Sequence, residues 1–203
     1  MQEQLTPDFG DYELLDTGDF EKLERFGRYV TRRPEPQAIW RRSLAEEEWR
    51  RTADASFRRD ARSDERGEWR LAPGMPDRWV VEYAYKRMRL RMRLGLTSFK
   101  HVGIFPEQAA NWDYVTDLIR SAGREIRLLN LFAYTGGATL AAAAAGASVT
   151  HVDASKGMVN WAKENAAVSG LSDKPIRWLV DDCTKFVERE IRRGNHYDAI
   201  IMD

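Results

Sequence analysis

Residues 128–155 read LLNLFAYTGGATLAAAAAGASVTHVDAS, an order of strand, glycine turn, small-residue helix, strand and acidic tip. Leu128, Leu129 and Leu131 form an apolar run too short for a helix of its own. Gly136 and Gly137 end it in a turn that lets main chain approach a ligand. Residues 138–145, mostly alanine, are strong helix formers whose small side chains let a helix lie close on a sheet. Gly146 stops that helix, and residues 148–152 resume as a strand. Asp153 then falls at the strand's C-terminal end, where a carboxylate can accept both hydroxyls of a ribose. The stretch is half of a nucleotide-binding site.

The same grammar repeats on both sides of it. Upstream, Pro106 and Glu107 suit a first helical turn, and Ala109, Trp112, Val115, Leu118, Ile119 and Ala122 recur at three- and four-residue steps until Gly123. Downstream come a helix over residues 156–169, a strand over 176–180, Asp181 and Asp182 at its end, a helix over 184–193 and a strand over 197–202 that ends on Asp203. Four strands alternating with helices, with polar residues at the strands' C-terminal ends, predict an α/β fold: a Rossmann-like, doubly wound parallel sheet.

Residues 1–95 read differently. Tyr12, Leu14 and Leu15 suit a short strand before a turn over residues 16–19, residues 20–26 a helical turn or two, and residues 29–33 a strand stopped by Pro34. Trp40, Trp49, Phe57 and Trp69 punctuate a charged segment. They are expected to be buried anchors in preference to base-stacking platforms. After a turn at residues 73–76, residues 79–85 and 88–94 predict a β-hairpin. Its second strand alternates Arg87, Arg89, Arg91 and Arg93 with Met88, Leu90, Met92 and Leu94, so one face packs on a core and the other carries guanidinium groups. That row is either a phosphate footprint or an exposed edge protected by charge, and the second reading is the plainer one. The chain thus divides into a small β-rich domain, 1–95, with RNA contact in view, and a sheet-bearing domain, 96–203.

Bulk properties narrow the chemistry. A chain of 203 residues with 43% apolar content and seven Trp can pack one ordinary domain and a small second one. Nothing in the sequence reads as a signal peptide or a membrane span, which sets the expectation of a cytoplasmic protein without membrane contact. One cysteine, Cys183, and three scattered His leave no disulfide and no cysteine-based zinc cluster, so no metal is expected. The zero net charge is uneven: residues 1–20 carry −6, residues 21–100 carry +8 and residues 101–203 carry −2. A basic segment suits nucleic acid, although solvated loops fluctuate in sign as well.

The nucleotide can be narrowed by elimination. Three spaced glycines for a dinucleotide pyrophosphate are missing, and no phosphate-binding lysine follows Gly137. Acidic stations at Asp153, Asp182 and Asp203 without a phosphate cradle suit a cationic, phosphate-free adenosine ligand, S-adenosylmethionine. The segment N-L-F-A-Y-T-G-G at residues 130–137 resembles the N-x-F-x-Y-T-G form of motif I in class I S-adenosylmethionine-dependent methyltransferases, specifically the bacterial large-subunit ribosomal RNA methyltransferase I-like family. The likeness continues through V-D-A-S at 152–155, Asn165, D-D-C at 181–183 and I-I-M-D at 200–203, which is similar to the start of a D-P-P motif IV. F-K-H-V-G-I-F-P-E-Q at 99–108 is similar to a K-T-G-x-F-x-D-Q-R segment, with one extra residue between Lys100 and Gly103 and Ala109 in place of the arginine.

The resemblance implies a cofactor-binding set of Gln108, Asn130, Phe132, Tyr134, Thr135, Gly136, Gly137, Asp153, Ala154, Ser155, Asp182 and Cys183. Within it, residues 132–137 line the methionine side, Asp153 holds the ribose, Ala154 packs near the adenine and Asp182 accepts from its amino group. Asp203 is the implied catalytic residue beside the methyl. Two members have plainer structural readings: Asp181 as a helix N-cap and Cys183 as a small buried residue, the latter favoured over a catalytic thiol. The implied substrate is ribosomal RNA, with cytosine C5 favoured, a reaction needing a cysteine from beyond motif IV. A non-catalytic RNA-binding module, and a methyltransferase for a protein or small molecule, are the alternatives. Because the sequence stops before the prolines of D-P-P, it is expected to be an inactive fragment whose fourth strand is frayed or abnormally paired. The oligomeric state is not legible.

Overall fold

A computed structural model describes residues 8–60 and 66–202. The chain forms two compact units, one of Phe9–Glu82 with Leu94–Ile104, the other built on residues 83–93 and 105–202. In the first, β1 (Tyr12–Gly18), β2 (Glu21–Phe26), β3 (Tyr29–Pro34), β4 (Ala55–Arg59) and β5 (Gly67–Leu71) make one sheet in that order. All neighbours are antiparallel except β3 and β4. Helix α1 (Glu46–Thr52) presents Trp49, fully buried and packed with Leu23 and Val30.

Two sequence expectations fail here for physical reasons. Residues 21–26 form strand β2 and no helix, because Asp19 and Phe20 both take positive φ and make a tight turn that returns the chain antiparallel to β1. Trp40 is no buried anchor. Its ring is 53% exposed, held by an indole N–H that donates to the Thr17 carbonyl at 2.8 Å. Trp49 and Phe57 are buried as expected, and Trp69 is half-buried.

Next come β6 (Arg78–Tyr85) and β7 (Met88–Gly95), a hairpin whose strands each run from one unit into the other. Met88, Leu90, Met92 and Leu94 are fully buried, as the alternation requires. The second unit then enters at a short turn of 3₁₀-helix, Pro106–Gln108, that leads into α2 (Ala109–Ser121). It continues through β8 (Arg127–Leu131), α3 (Gly137–Ala145), β9 (Ser148–Asp153), α4 (Lys156–Val168), β10 (Ile176–Val180), α5 (Cys183–Arg193) and β11 (Ala199–Met202). The four strands are parallel in the order β10-β9-β8-β11.

This is the doubly wound sheet read from the sequence. Ile119 of α2 and the alanines 142 and 143 of α3 pack with Leu128 and Val149 on one face. On the other face Cys183 and Phe186 of α5 pack with Leu129, Leu131 and Val152. Leu118, expected to face inward, is 51% exposed.

The fourth strand and the arginine strand both depart from expectation. β11 is neither frayed nor misregistered: Ala199, Ile200, Ile201 and Met202 pair in step with Leu128, Leu129, Asn130 and Leu131. β7 does not present a bare edge. Ser169 accepts from Arg91 N–H at 2.9 Å and donates to its carbonyl at 3.0 Å. Asn165 accepts from Arg93 N–H at 2.8 Å, and Trp161 donates to the Arg93 carbonyl at 2.8 Å. Three side chains spaced four residues apart on and just beyond α4 thus occupy that edge. Among the described residues no helix is long and apolar enough to cross a membrane.

Candidate functional site

The sheet order places a topological switch point between β8 and β11, since the chain runs outward from β8 to β10 and then returns to β8's other side. Open α/β sheets bind ligands beside the C-terminal ends of the strands at such a point. Here the segment between β8 and α3 is tightly constrained. Phe132 and Tyr134 both hold positive φ, 52° and 49°, and Gly136 follows at 89°. Left-handed conformations at aromatic residues cost of order 1–3 kcal/mol each, so the surroundings must over-determine them.

Those surroundings are specific. Phe132 N–H donates to Cys183 Sγ at 3.3 Å, Ala133 N–H to the Val152 carbonyl at 3.1 Å and Tyr134 N–H to Asp153 Oδ2 at 2.9 Å. Asn165, fully buried, donates its amide to the Thr135 carbonyl at 2.9 Å. Gly136 N–H closes back on the Ala133 carbonyl at 3.0 Å. Gly136 is required by φ and Gly137 by space. A Cβ on Gly137 would stand 2.5 Å from Trp112 Cζ2, and one on Gly136 would stand 3.1 Å from Ala162 Cβ.

Asp153 organises the rim. Its Oδ2 takes Tyr134 N–H and its Oδ1 takes Ser155 N–H at 2.8 Å, which leaves one acceptor site on each oxygen for a ligand. Ala154 is exposed beside it, and Ser155 caps α4 by accepting from Met158 N–H at 3.4 Å. At the end of β10, Asp182 and not Asp181 is the N-cap of α5. Asp182 Oδ1 accepts from Lys185 N–H at 2.9 Å, while Asp181 pairs with Arg189. The geometry decides this: the cap must precede the first helical residue, Cys183.

Cys183 itself is buried, and that burial pushes its thiol above the usual range. This suits packing and a sulfur acceptor, not a thiolate nucleophile. Exposed apolar surface flanks the acidic rim, with Phe132 54% and Val180 51% exposed.

The remaining candidates sit around this rim or beneath it. Gln108 Oε1 accepts from Asn111 at 2.8 Å, and its segment reaches the turn through the Phe105 ring, 5.2 Å from the ring of Tyr134. Asn130 does not open to the crevice. Its amide donates to Thr139 Oγ1 at 2.9 Å, and the Thr139 hydroxyl lies 2.9 Å from His151 Nδ1. His151 Nε2 is buried without a partner among the described residues. Burial depresses its pKa to about 4. Sequence reasoning missed this network. The available signal was the inward parity that His151 shares with Val149 on a strand buried on both faces. Asp203 lies outside the described residues.

A carboxylate with acceptor sites left at one strand end, a second carboxylate at the next and exposed apolar surface beside them can hold an adenosine. No lysine or arginine stands among the turn residues to neutralise a pyrophosphate. Residues 29–203 match a family model described as S-adenosylmethionine-dependent methyltransferase. A ribosomal RNA large subunit methyltransferase K/L of Shewanella frigidimarina is 34% identical over 128 residues, 63% of this chain and 17% of that protein. Its counterpart in Shewanella baltica is 38% identical over 114 residues, 56% of this chain and 15% of that protein. The chain thus spans about a sixth of the length of these curated relatives, which carry the K/L name and not the name I. Among solved structures, a SAM-dependent methyltransferase from Agrobacterium tumefaciens superposes with a TM-score of 0.86 at 44% identity, over 94% of this chain and 59% of that one. A methyltransferase described as putative, from Streptococcus mutans, shares the fold, with a TM-score of 0.70 at 18% identity over 95% of this chain and 52% of that one.

Proposed function

The chain belongs to the S-adenosylmethionine-dependent methyltransferase family, and on that premise we propose that its crevice holds S-adenosylmethionine for methyl transfer to a base of large-subunit ribosomal RNA. The observation that carries the reading is the constrained turn after β8, whose Tyr134 N–H is tied to the carboxylate of Asp153. The names of the curated relatives support RNA as the substrate, and the resemblance of the motifs supports cytosine C5 as the acceptor. The proposed organisation is a small β-rich domain, 1–95, with RNA contact, and the methyltransferase domain from residue 96 onward.

The residues present fit the cofactor. The donor set is two carboxylates, Asp153 and Asp182, at the ends of neighbouring strands, with no lysine or arginine among residues 132–137. When bound, S-adenosylmethionine supplies a methyl carbon made electrophilic by a positively charged sulfur. Asp153 would take the ribose hydroxyls on its remaining acceptor sites. Phe132, Ala154 and Val180 offer apolar surface to the adenine, and Asp182 Oδ2 is available to its amino group. The main chain of residues 132–137 would line the methionine side. Catalysis then comes from positioning the two reactants and from withholding water, while Asp203 is the proposed catalytic contact beside the transferred methyl. Cys183, used as a packing group, supplies no covalent step.

Equilibrium dialysis with radiolabelled S-adenosylmethionine, competed by S-adenosylhomocysteine, ATP and NADH, tests the ligand. Displacement by S-adenosylhomocysteine alone is expected, and equal displacement by ATP or NADH contradicts the reading. For the acceptor, tritium release from 5-tritiated cytosine in ribosomal RNA incubated with the enzyme and S-adenosylmethionine is expected, and methylation without release contradicts cytosine C5.

A further inference from the structure

Asn165 lies outside the set of residues implied to touch the cofactor, yet it is fully buried and both ends of its amide are used. Its oxygen accepts from Arg93 N–H at 2.8 Å, and its nitrogen donates to the Thr135 carbonyl at 2.9 Å. A main-chain N–H can be met only by the oxygen and a carbonyl only by the nitrogen, so the two bonds together set which way the amide faces. A carboxylate in its place would match the first partner and repel the second.

The Thr135 carbonyl matters because of where it stands. It belongs to the peptide that joins Thr135 to Gly136, and the other end of that peptide, Gly136 N–H, closes on the Ala133 carbonyl at 3.0 Å. Left-handed residues stand on both sides of Thr135, Tyr134 at φ 49° and Gly136 at 89°. Glycine accepts either sign of φ, so Gly136 by itself does not keep the peptide from turning over. Helix α3 adds no side-chain hold, because its N-cap is that same glycine. Asn165 reaches the carbonyl from a well-anchored helix. Trp161 and Ser169, four residues away on either side, bond the main chain of Arg93 and Arg91 on β7.

We infer that Asn165 is a positioning residue of the crevice: it locks the Thr135–Gly136 peptide, and with it the turn over residues 132–137, in the orientation that meets the methionine side of the methyl donor. Being fully buried, it acts through Thr135 and touches no ligand itself. The inference rests on the crevice binding S-adenosylmethionine. Affinity then depends on the fraction of molecules that hold the turn in this orientation.

The test compares the wild-type chain with Asn165→Asp, Asn165→Ala and Ser169→Ala. Ser169→Ala controls for structure alone, because it removes two bonds between the same helix region and β7 and leaves the turn untouched. S-adenosylhomocysteine binding is read by calorimetry, exchange of the Gly136 amide hydrogen by NMR, and folding by thermal unfolding. In both Asn165 variants affinity should fall roughly tenfold, the loss expected when about one molecule in ten holds the competent turn. Gly136 should exchange faster in both, and more so in Asn165→Asp, where the carbonyl is repelled. Ser169→Ala should keep the wild-type affinity and the wild-type exchange. If Asn165→Asp does not fold, Asn165→Ala decides. Wild-type affinity and exchange in a folded Asn165→Ala chain overturn the inference. Equal losses in Ser169→Ala assign the effect to the docking of α4 on β7 and overturn it as well. Faster Gly136 exchange in the Asn165 variants alone, in a chain that gives no heat with S-adenosylhomocysteine, upholds the lock while removing the cofactor reading.

Discussion

Around the turn after β8 the buried polar side chains Asn130, Thr139, His151 and Asn165 are uncharged, and the buried carboxylate of that unit, Glu190, lies apart on α5 with Arg193, Asn195 and Tyr197, whereas the five-stranded sheet buries Glu24 against Arg33 and seals Asp16 among N–H donors. The ionic arrangement ties neighbouring strands: Arg33 of β3 grips Glu24 of β2 through Nε at 2.5 Å and Nη2 at 3.0 Å. Asp16 accepts from Thr17, Ser43, Leu44 and the Trp49 indole, and these donors outweigh burial and hold its carboxyl below the usual range. The neutral arrangement orients peptide groups. It holds Thr135 and the start of α3 without placing a fixed charge beneath the crevice, where such a charge would act on any ionic ligand. Strands that need only register tolerate buried charge, and a turn that must meet a charged ligand is supported by amides and hydroxyls.

The largest expected effect breaks the ionic half. Glu24→Leu removes the carboxylate that Arg33 grips while the guanidinium stays buried, and should cost about 3–5 kcal/mol in urea unfolding. The double variant with Arg33→Met should recover most of that loss, and equal losses in single and double variants would show that the pairing is incidental.

The neutral half is tested by acid. His151 folds neutral with a pKa of about 4 against 6.5 for the free imidazole, so the unfolded chain binds the extra proton. Stability is therefore unaffected above pH 6.5, falls as pH drops from 6.5 toward about 4, and levels below that. The loss amounts to about 3 kcal/mol at about 1.4 kcal/mol per pKa unit. His151→Gln should flatten this part of the pH profile in denaturation experiments. A second component should remain, because His101 of the other unit is depressed to about 4 by burial and by Arg33 and Lys100. Identical profiles for wild type and variant would remove His151 from the network.

Smaller effects sharpen the contrast at the turn itself. Gly137→Ala drives a methyl into the Trp112 ring and should cost about 1–3 kcal/mol, read as a lowered Tm. Asp182→Ala removes the cap of α5 and should cost about 1 kcal/mol, with Asp181→Ala costing less because that residue caps nothing. The reverse order would return the cap to Asp181.

How legible these features were depends on how local they are. The glycine turn, the alanine helix and the strand-end carboxylates were readable because each is a short-range signal with one physical meaning. The hairpin of β6 and β7 was readable from strict alternation. Residues 20–26 were misread because an E-K-L-E-R-F string is ambiguous by itself. The positive φ values of Asp19 and Phe20, which fix the strand, belong to residues other than glycine. The cover on β7 was invisible for a different reason: Trp161, Asn165 and Ser169 look like an ordinary amphipathic face until the strand 68 or more residues away is brought against them. The burial of Asn130 away from the crevice was hidden likewise, since its partners Thr139 and His151 converge only in the folded sheet.

Calorimetric titration of S-adenosylhomocysteine into the wild-type chain and into Asp153→Asn tests the binding crevice at the residue where turn and rim meet. One-to-one binding is expected for the wild type, weakened roughly tenfold to a hundredfold in the variant by loss of charge-assisted hydrogen bonds worth about 1.5–3 kcal/mol. Equal affinity in the two proteins, with both folded, would contradict the account.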